Sequence, residues 1–115
     1  MDLPVRYSSL RKKSEKKRAV REEYIRRQNG NCCFCGESLT SRSPYEEDGT
    51  PVHEERYPAA FFDNPVHLHH DHTTDMTIGA IHAYCNAVSF DYFEDPVGNL
   101  PPLRRQPIGL ERLTS

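Results

Sequence analysis

The chain has 115 residues, enough for about one modest domain. Its apolar residues make up 36 %, with nine prolines and no tryptophan, and the mean hydropathy is −0.79. A large self-sufficient core is excluded, and a staple such as a metal or disulfides is expected. The formal net charge of −2 is unevenly spread: residues 1–31 hold ten Lys or Arg against four acids, which leaves about +6 there and −8 beyond.

In chain order, residues 1–31 form a basic arm that starts loosely and then becomes helical from Ser14 to Gln28, with Ser14 as cap and Gly30 as the C′ residue. Val20, Tyr24 and Ile25 make a narrow apolar stripe at helical spacing. Residues 32–95 form the central domain and hold every Cys and His. Their first half, Glu37 to Pro65, is turn-rich and reads as a long loop or an irregular hairpin. Val66–His70 and Met76–Ile81 read as strands, and Ala83–Phe93 as a helix with Ala87, Phe90 and Phe93 turned inward. Residues 96–115 carry four prolines and read as a tail, extended over the surface or disordered.

No segment is apolar and long enough to cross a membrane, and Met1-Asp2-Leu3-Pro4 opens no signal-peptide core. A soluble cytoplasmic protein is expected, in which thiols stay reduced and clustered cysteines bind metal. Cys32-x-x-Cys35-Gly36 has the form of a knuckle, with two thiolates presented on one tight turn. His82-x-x-Cys85 supplies a second pair at the start of the predicted helix. Together they suit a closed, tetrahedral Cys₃His site for structural Zn²⁺. Cys33 is expected outside this set.

Between the two pairs lies Leu68-His69-His70-Asp71-His72, followed after a short turn by Thr77-Ile78-Gly79-Ala80-Ile81 and Cys85-Asn86. This segment resembles the recombination endonuclease VII branch of the HNH superfamily, whose pattern is Asp-His-x-His, a turn, an Arg-Gly-Leu-Leu-like strand and Cys-x-x-Cys-Asn. With His70 on the family's histidine, Gly79, Ile81 and Cys85-Asn86 fall into place without a gap. Gln28-Asn29-Gly30-Asn31-Cys32 through Gly36 resembles the family's entry to the first Cys pair. The resemblance covers about half of the chain. It departs from the family where His69 replaces a metal-binding Asp, Ile78 replaces the strand Arg, and His82 replaces a zinc Cys.

The resemblance implies an α+β fold: a small ββα-metal (His-Me finger) nuclease core with a structural zinc site and an N-terminal basic helix. It implies a metal-dependent DNA endonuclease, with His69 and Asn86 holding a catalytic Mg²⁺ or Mn²⁺ and His70 as general base. His72 would contact the scissile phosphate or steady the site, and the products would be 5′-phosphate and 3′-hydroxyl ends. Asp71 reads as a turn residue, and His53 and His67 as surface or core histidines. The partner would be branched or duplex DNA. Relatives of this type are often phage-encoded, which would place the protein in the host-cell cytoplasm. Cleavage at a junction would call for two active sites, hence a homodimer, although no long dimerisation helix lies beyond residues 14–28. The alternative is a non-catalytic zinc module that binds nucleic acid or protein. It would need Cys32, Cys35, His82 and Cys85 but neither His70 nor Asn86.

Overall fold

The computed structural model describes residues 1–108, and the part of the predicted tail from 109 to 115 lies outside them. The architecture is α+β, with a two-stranded antiparallel sheet and a few helices. Among the described residues no helix is long and apolar enough to cross a membrane.

Helix α1 spans Ser14–Arg27. Ser14 is its first helical residue, not its cap; the flanking position is Lys13, which offers no side-chain cap. The helix ends in a Schellman turn: the Gly30 amide donates to the Ile25 carbonyl at 2.8 Å and the Asn29 amide to that of Arg26 at 3.1 Å. Asn29, at φ 56°, therefore holds the C′ place expected for Gly30, and Gly30 follows at φ 77°. Asn tolerates the left-handed region better than most residues, which lets the turn begin one position early. The expected stripe is confirmed at Val20 and Tyr24, which are buried, while Ile25 is half-buried. Burying a valine of this kind contributes roughly 1.5–3 kcal/mol. The Tyr24 hydroxyl shares a buried 2.7 Å hydrogen bond with Thr77 Oγ1, fixing α1 against the sheet.

The segment after α1 contains no strand. It folds a short helix α2 over Pro44–Glu47 and a 3₁₀ turn over Glu54–Arg56, and it is neither a bare loop nor a hairpin. Ser43 caps α2 by accepting from the Tyr45 amide, and Tyr45 itself is 1 % exposed. Strand β1 covers Val66–His70 and strand β2 covers Thr77–His82, one residue later than the predicted second strand. Met76 instead bridges to Arg6, with the Tyr7 amide on the Asp75 carbonyl (2.7 Å) and the Thr77 amide on the Val5 carbonyl (2.9 Å). The stretch expected to be loose is thus pinned along the hairpin. Asp71 is the turn residue anticipated, its carboxylate accepting from the Thr73 and Thr74 amides.

Helix α3, Ala83–Ser89, runs on into a π-helical turn over Phe90–Glu94, where the sequence predicted one continuous α-helix. The extra residue in that turn changes which side chains face inward. Ala87 is fully buried as expected, but Asp91 is buried with it, and Phe90 lies at a cleft wall. Phe93 packs at the core margin. Residues 96–108 extend over the surface: Tyr45 Oη donates to the Arg105 carbonyl at 2.9 Å, and the Ile108 amide to that of Phe34 at 2.9 Å. One core takes in Leu10, Val20, Phe34, Tyr45, Leu68, Ile81, Val88, Cys32 and Cys85.

Candidate metal cluster and histidine cleft

Cys32, Cys35, His82 and Cys85 come together with their ligand atoms all within 4.8 Å of one another. The knuckle is shaped by Gly36, at φ +81°, whose amide donates to the Cys32 carbonyl at 3.0 Å. That φ favours glycine because a Cβ there is strained. His82 Nδ1 lies 3.5 Å from Cys35 Sγ and 3.6 Å from Cys85 Sγ. Its Nε2 is 2.9 Å from the carbonyls of both Ser38 and Ser41, which can only accept, so Nε2 carries a proton and Nδ1 is the atom left for the cluster.

The sulfurs are also supported from outside. The Phe34 and His82 amides donate to Cys32 Sγ and the Glu37 amide to Cys35 Sγ, each at 3.4 Å, and Ser43 Oγ lies 3.1 Å from Cys85 Sγ. Hydrogen bonds from Cys35 and Cys85 hold the Cys32 thiol far below its ordinary range, while the contact with Cys32 pushes the Cys85 thiol up. Burial opposes charge on His82, but its bonds to the Cys32 and Cys35 sulfurs outweigh this and raise it to about 10, so without a metal Nδ1 also holds a proton, which a bound metal would displace. Three sulfurs this close cannot all be thiolates unless a positive charge sits among them. The donor set, the fixed histidine tautomer and the amide bonds to sulfur fit a closed metal site that could take zinc. Cys33 stays outside the four, its amide donating to the Ala80 carbonyl at 3.0 Å.

A second site opens as a cleft of about 480 Å³, bordered by His67, His69, His70, His72 and Asn86. Adjacent residues of a regular strand face opposite sides of the sheet, so His69 and His70 should diverge. They do not, because the register shifts between them: His69 pairs with Gly79 and His70 with Thr77, leaving Ile78 unmatched. A bulge of this kind re-aims side chains, and here both histidines border one cleft. The β2 residue opposite His69 has to be small. A Cβ on Gly79 would lie 2.6 Å from Gln28 Oε1 and 3.1 Å from the Cys33 Cβ. Gln28 in turn accepts from the Ala80 amide (2.8 Å) and donates to the Ala80 carbonyl (2.9 Å), pairing with β2 as a strand would.

His69 is 5 % exposed, and its pKa is lowered to about 4, first by burial and then by the neighbouring His70 and His72. His70 also falls to about 4, again from burial and then His72, and its ring lies flat on Tyr7 with centroids 3.7 Å apart. Burial likewise lowers His67. His69 and His70 are uncharged at neutral pH, with a lone pair able to take a proton or a cation, whereas both ring nitrogens of His67 are engaged, by the Phe61 carbonyl and by Asn86. His72 is exposed, 3.7 Å from Glu94 Oε2 and 4.6 Å ring to ring from His70.

Lys17 and Arg21 reach the cleft from α1 and form no ion pair among the described residues. Arg56 reaches it too, but its charge is matched by Asp91 at 3.0 Å and Asp95 at 2.5 Å. Ile78, the residue left unmatched by the register shift, lies away from the cleft beside Leu3, Pro4 and Tyr24.

His67, expected to be an ordinary surface or core residue, belongs to the cleft instead. Strand alternation carries the signal for this, since residues 67 and 69 share a face. Glu94, Arg56 and Tyr7 also border the cleft, and only the fold brings them there. His53 is placed as expected, outside both sites, with Nδ1 3.2 Å from Glu55. Comparison of the chain with protein-family models, curated proteins and solved structures yields no match.

Proposed function

We propose that the chain is a metal-dependent DNA endonuclease of the HNH, ββα-metal type, built around a structural zinc. The observation that carries the reading is the bulge that lets His69 and His70, neighbours in sequence, share one cleft with Asn86. The order β1, β2, α3 and the Cys₃His cluster at the β2–α3 junction agree with it.

His69 and Asn86 would hold a divalent cation, Mg²⁺ or Mn²⁺, which when bound neutralises charge on the phosphate and the departing oxygen. His70, uncharged and held flat by Tyr7, accepts the proton of the attacking water. The water oxygen bonds to phosphorus as the bond from phosphorus to the 3′ oxygen breaks, and the departing 3′ oxygen takes a proton from solvent, giving 5′-phosphate and 3′-hydroxyl ends. Lys17 and Arg21, with no ion-pair partner among the described residues, hold the substrate's backbone phosphates. His72, beside Glu94, sits where it can steady His70 or meet the phosphate.

The test is nicking of supercoiled plasmid and of a branched junction by zinc-loaded protein with Mg²⁺ or Mn²⁺, wild type against His70→Ala. The expected loss in the variant is roughly 10²–10⁴-fold, as for removal of a general base. Wild-type protein that leaves both substrates intact with both metals would instead favour a non-catalytic zinc module.

A further inference from the structure

Asn86 is the only amide side chain proposed above as a cation ligand, and an amide can turn either end toward a site. Which end it presents is decided by its neighbour. His67 Nε2 lies 2.8 Å from the Phe61 carbonyl, and a carbonyl only accepts, so this nitrogen bears the proton. The uncharged ring then has a bare lone pair on Nδ1. Asn86 Nδ2 lies 3.2 Å from that atom and is the donor it requires. The other end of the amide, Oδ1, is turned to the cleft that Asn86 shares with His69, with which the Asn86 side chain also hydrogen-bonds.

We propose that His67 is a positioning residue: anchored by the Phe61 carbonyl, its Nδ1 captures the Asn86 amide nitrogen and turns the Asn86 oxygen into the cleft as a ligand for a divalent cation. The ligand role rests on the endonuclease reading above, whereas the orientation of the amide rests on the two hydrogen bonds alone. Unlike an imidazole nitrogen, an amide nitrogen has no lone pair to offer a cation, and Mg²⁺ and Mn²⁺ favour oxygen donors, so a reversed Asn86 would be a lost ligand. Partners that orient metal ligands in this way commonly carry a 10- to 100-fold share of the affinity. The Phe61 end of the relay comes from the turn-rich insert, which gives that segment a part in shaping the cleft.

Two measurements on the full, zinc-loaded chain test this. In the first, long-range ¹H–¹⁵N spectra of labelled protein should show His67 protonated at Nε2 and bare at Nδ1. In the second, Mn²⁺ titrations followed by electron paramagnetic resonance compare wild type with His67→Leu, His67→Asn and Asn86→Ala.

His67→Leu should weaken Mn²⁺ binding about 10- to 100-fold, approaching Asn86→Ala. His67→Asn, whose Oδ1 falls near the place of Nδ1, should restore most of it. Far-ultraviolet circular dichroism and melting confirm that each variant is folded, and the asparagine variant keeps the test decisive if the leucine variant is not. A proton on Nδ1, or equal weakening in folded leucine and asparagine variants, would overturn the proposal. The expected tautomer with no Mn²⁺ bound by wild type would leave the amide orientation standing and remove the cation reading of the cleft.

Discussion

The two histidine-bearing sites share α3 and differ in almost everything else. Cys85 belongs to the metal cluster and Asn86, the next residue, to the cleft. In the cluster, His82 is 3 % exposed and its Nε2 is tied to two carbonyls, while each sulfur has a neighbouring donor. In the cleft, His72 is exposed, Lys17 and Arg21 have no ion-pair partner among the described residues, and uncharged histidines keep usable lone pairs. A closed donor shell suits structure and an open one suits chemistry. The fold therefore places a closed anchor of four ligand atoms one residue from an open cleft, and Cys85 of that anchor lies in the first turn of the helix on which Asn86 rides.

The sharpest way to break this contrast is to remove the anchor. Cys85→Ser, or chelation of the metal, should unfold the chain. Structural zinc contributes on the order of 10–16 kcal/mol in small domains, as much as or more than the about 5–15 kcal/mol of net stability a domain usually has. Circular dichroism before and after chelator checks this; an unchanged melting curve would mean that the thin core stands without metal and that the four ligands are ordinary buried side chains.

The cleft has an anchor of another kind, an ion pair. Asp91 is fully buried, and its carboxylate accepts from the His53 amide at 2.6 Å, from Arg56 at 3.0 Å and from Tyr57 Oη at 2.6 Å. This joins the turn at 53–57 to the π turn and so fixes the Arg56, Tyr57 and Phe90 side of the cleft. Removing the carboxylate leaves Arg56 with Asp95 alone and deprives the His53 amide and the Tyr57 hydroxyl of an acceptor. Asp91→Ala should cost about 1–3 kcal/mol by urea denaturation, less than loss of the metal. A change below about 1 kcal/mol would show that solvent reaches Arg56 readily and that this wall is loosely held.

Much of the closed site was legible in the sequence, and less of the open one. Two Cys/His pairs at fixed spacing specify the cluster locally, because each pair occupies a single turn. The cleft depends on things that spacing does not encode. The bulge between His69 and His70 arises from how β1 meets β2, and Tyr7 reaches His70 only because the arm pairs with Met76 and Thr77. The π turn escaped as well: a helical pattern through Phe93 puts Phe90 inward, and only the demand of the Asp91 network for a buried carboxylate shows why the turn takes an extra residue.

The cations of α1 are not equivalent, and this gives a finer test of the open site. Lys17 and Arg21 border the cleft, whereas Arg26 and Arg27 are engaged by Glu23. Lys17→Ala with Arg21→Ala should lower the slope of log K for DNA against log salt by about 2, since each phosphate contact contributes roughly 0.9. Fluorescence anisotropy over a salt series measures it, and an unchanged slope would mean that these side chains are only solvated.

The smallest effect expected concerns the paired end of the same helix. Glu23 accepts from Arg26 at 3.1 and 2.5 Å and from Arg27 at 2.8 Å, and these bonds hold its pKa at about 2, below the ordinary carboxylate value of 4.5. A folded-state pKa that is depressed means stability present above pH 4.5 and lost as the pH falls through about 2. Glu23→Gln should therefore melt slightly below wild type at neutral pH, and the gap should close as the pH drops from about 4.5 to 2. Acid also strips the metal that holds the fold, so the comparison is made where the metal is still bound, in the upper part of that window. The pair is exposed and screened, which keeps the gap small and makes it shrink in high salt. A gap that does not begin to narrow in that upper part would mean that the glutamine perturbs the helix itself, and that Arg26 and Arg27 are held by something other than charge.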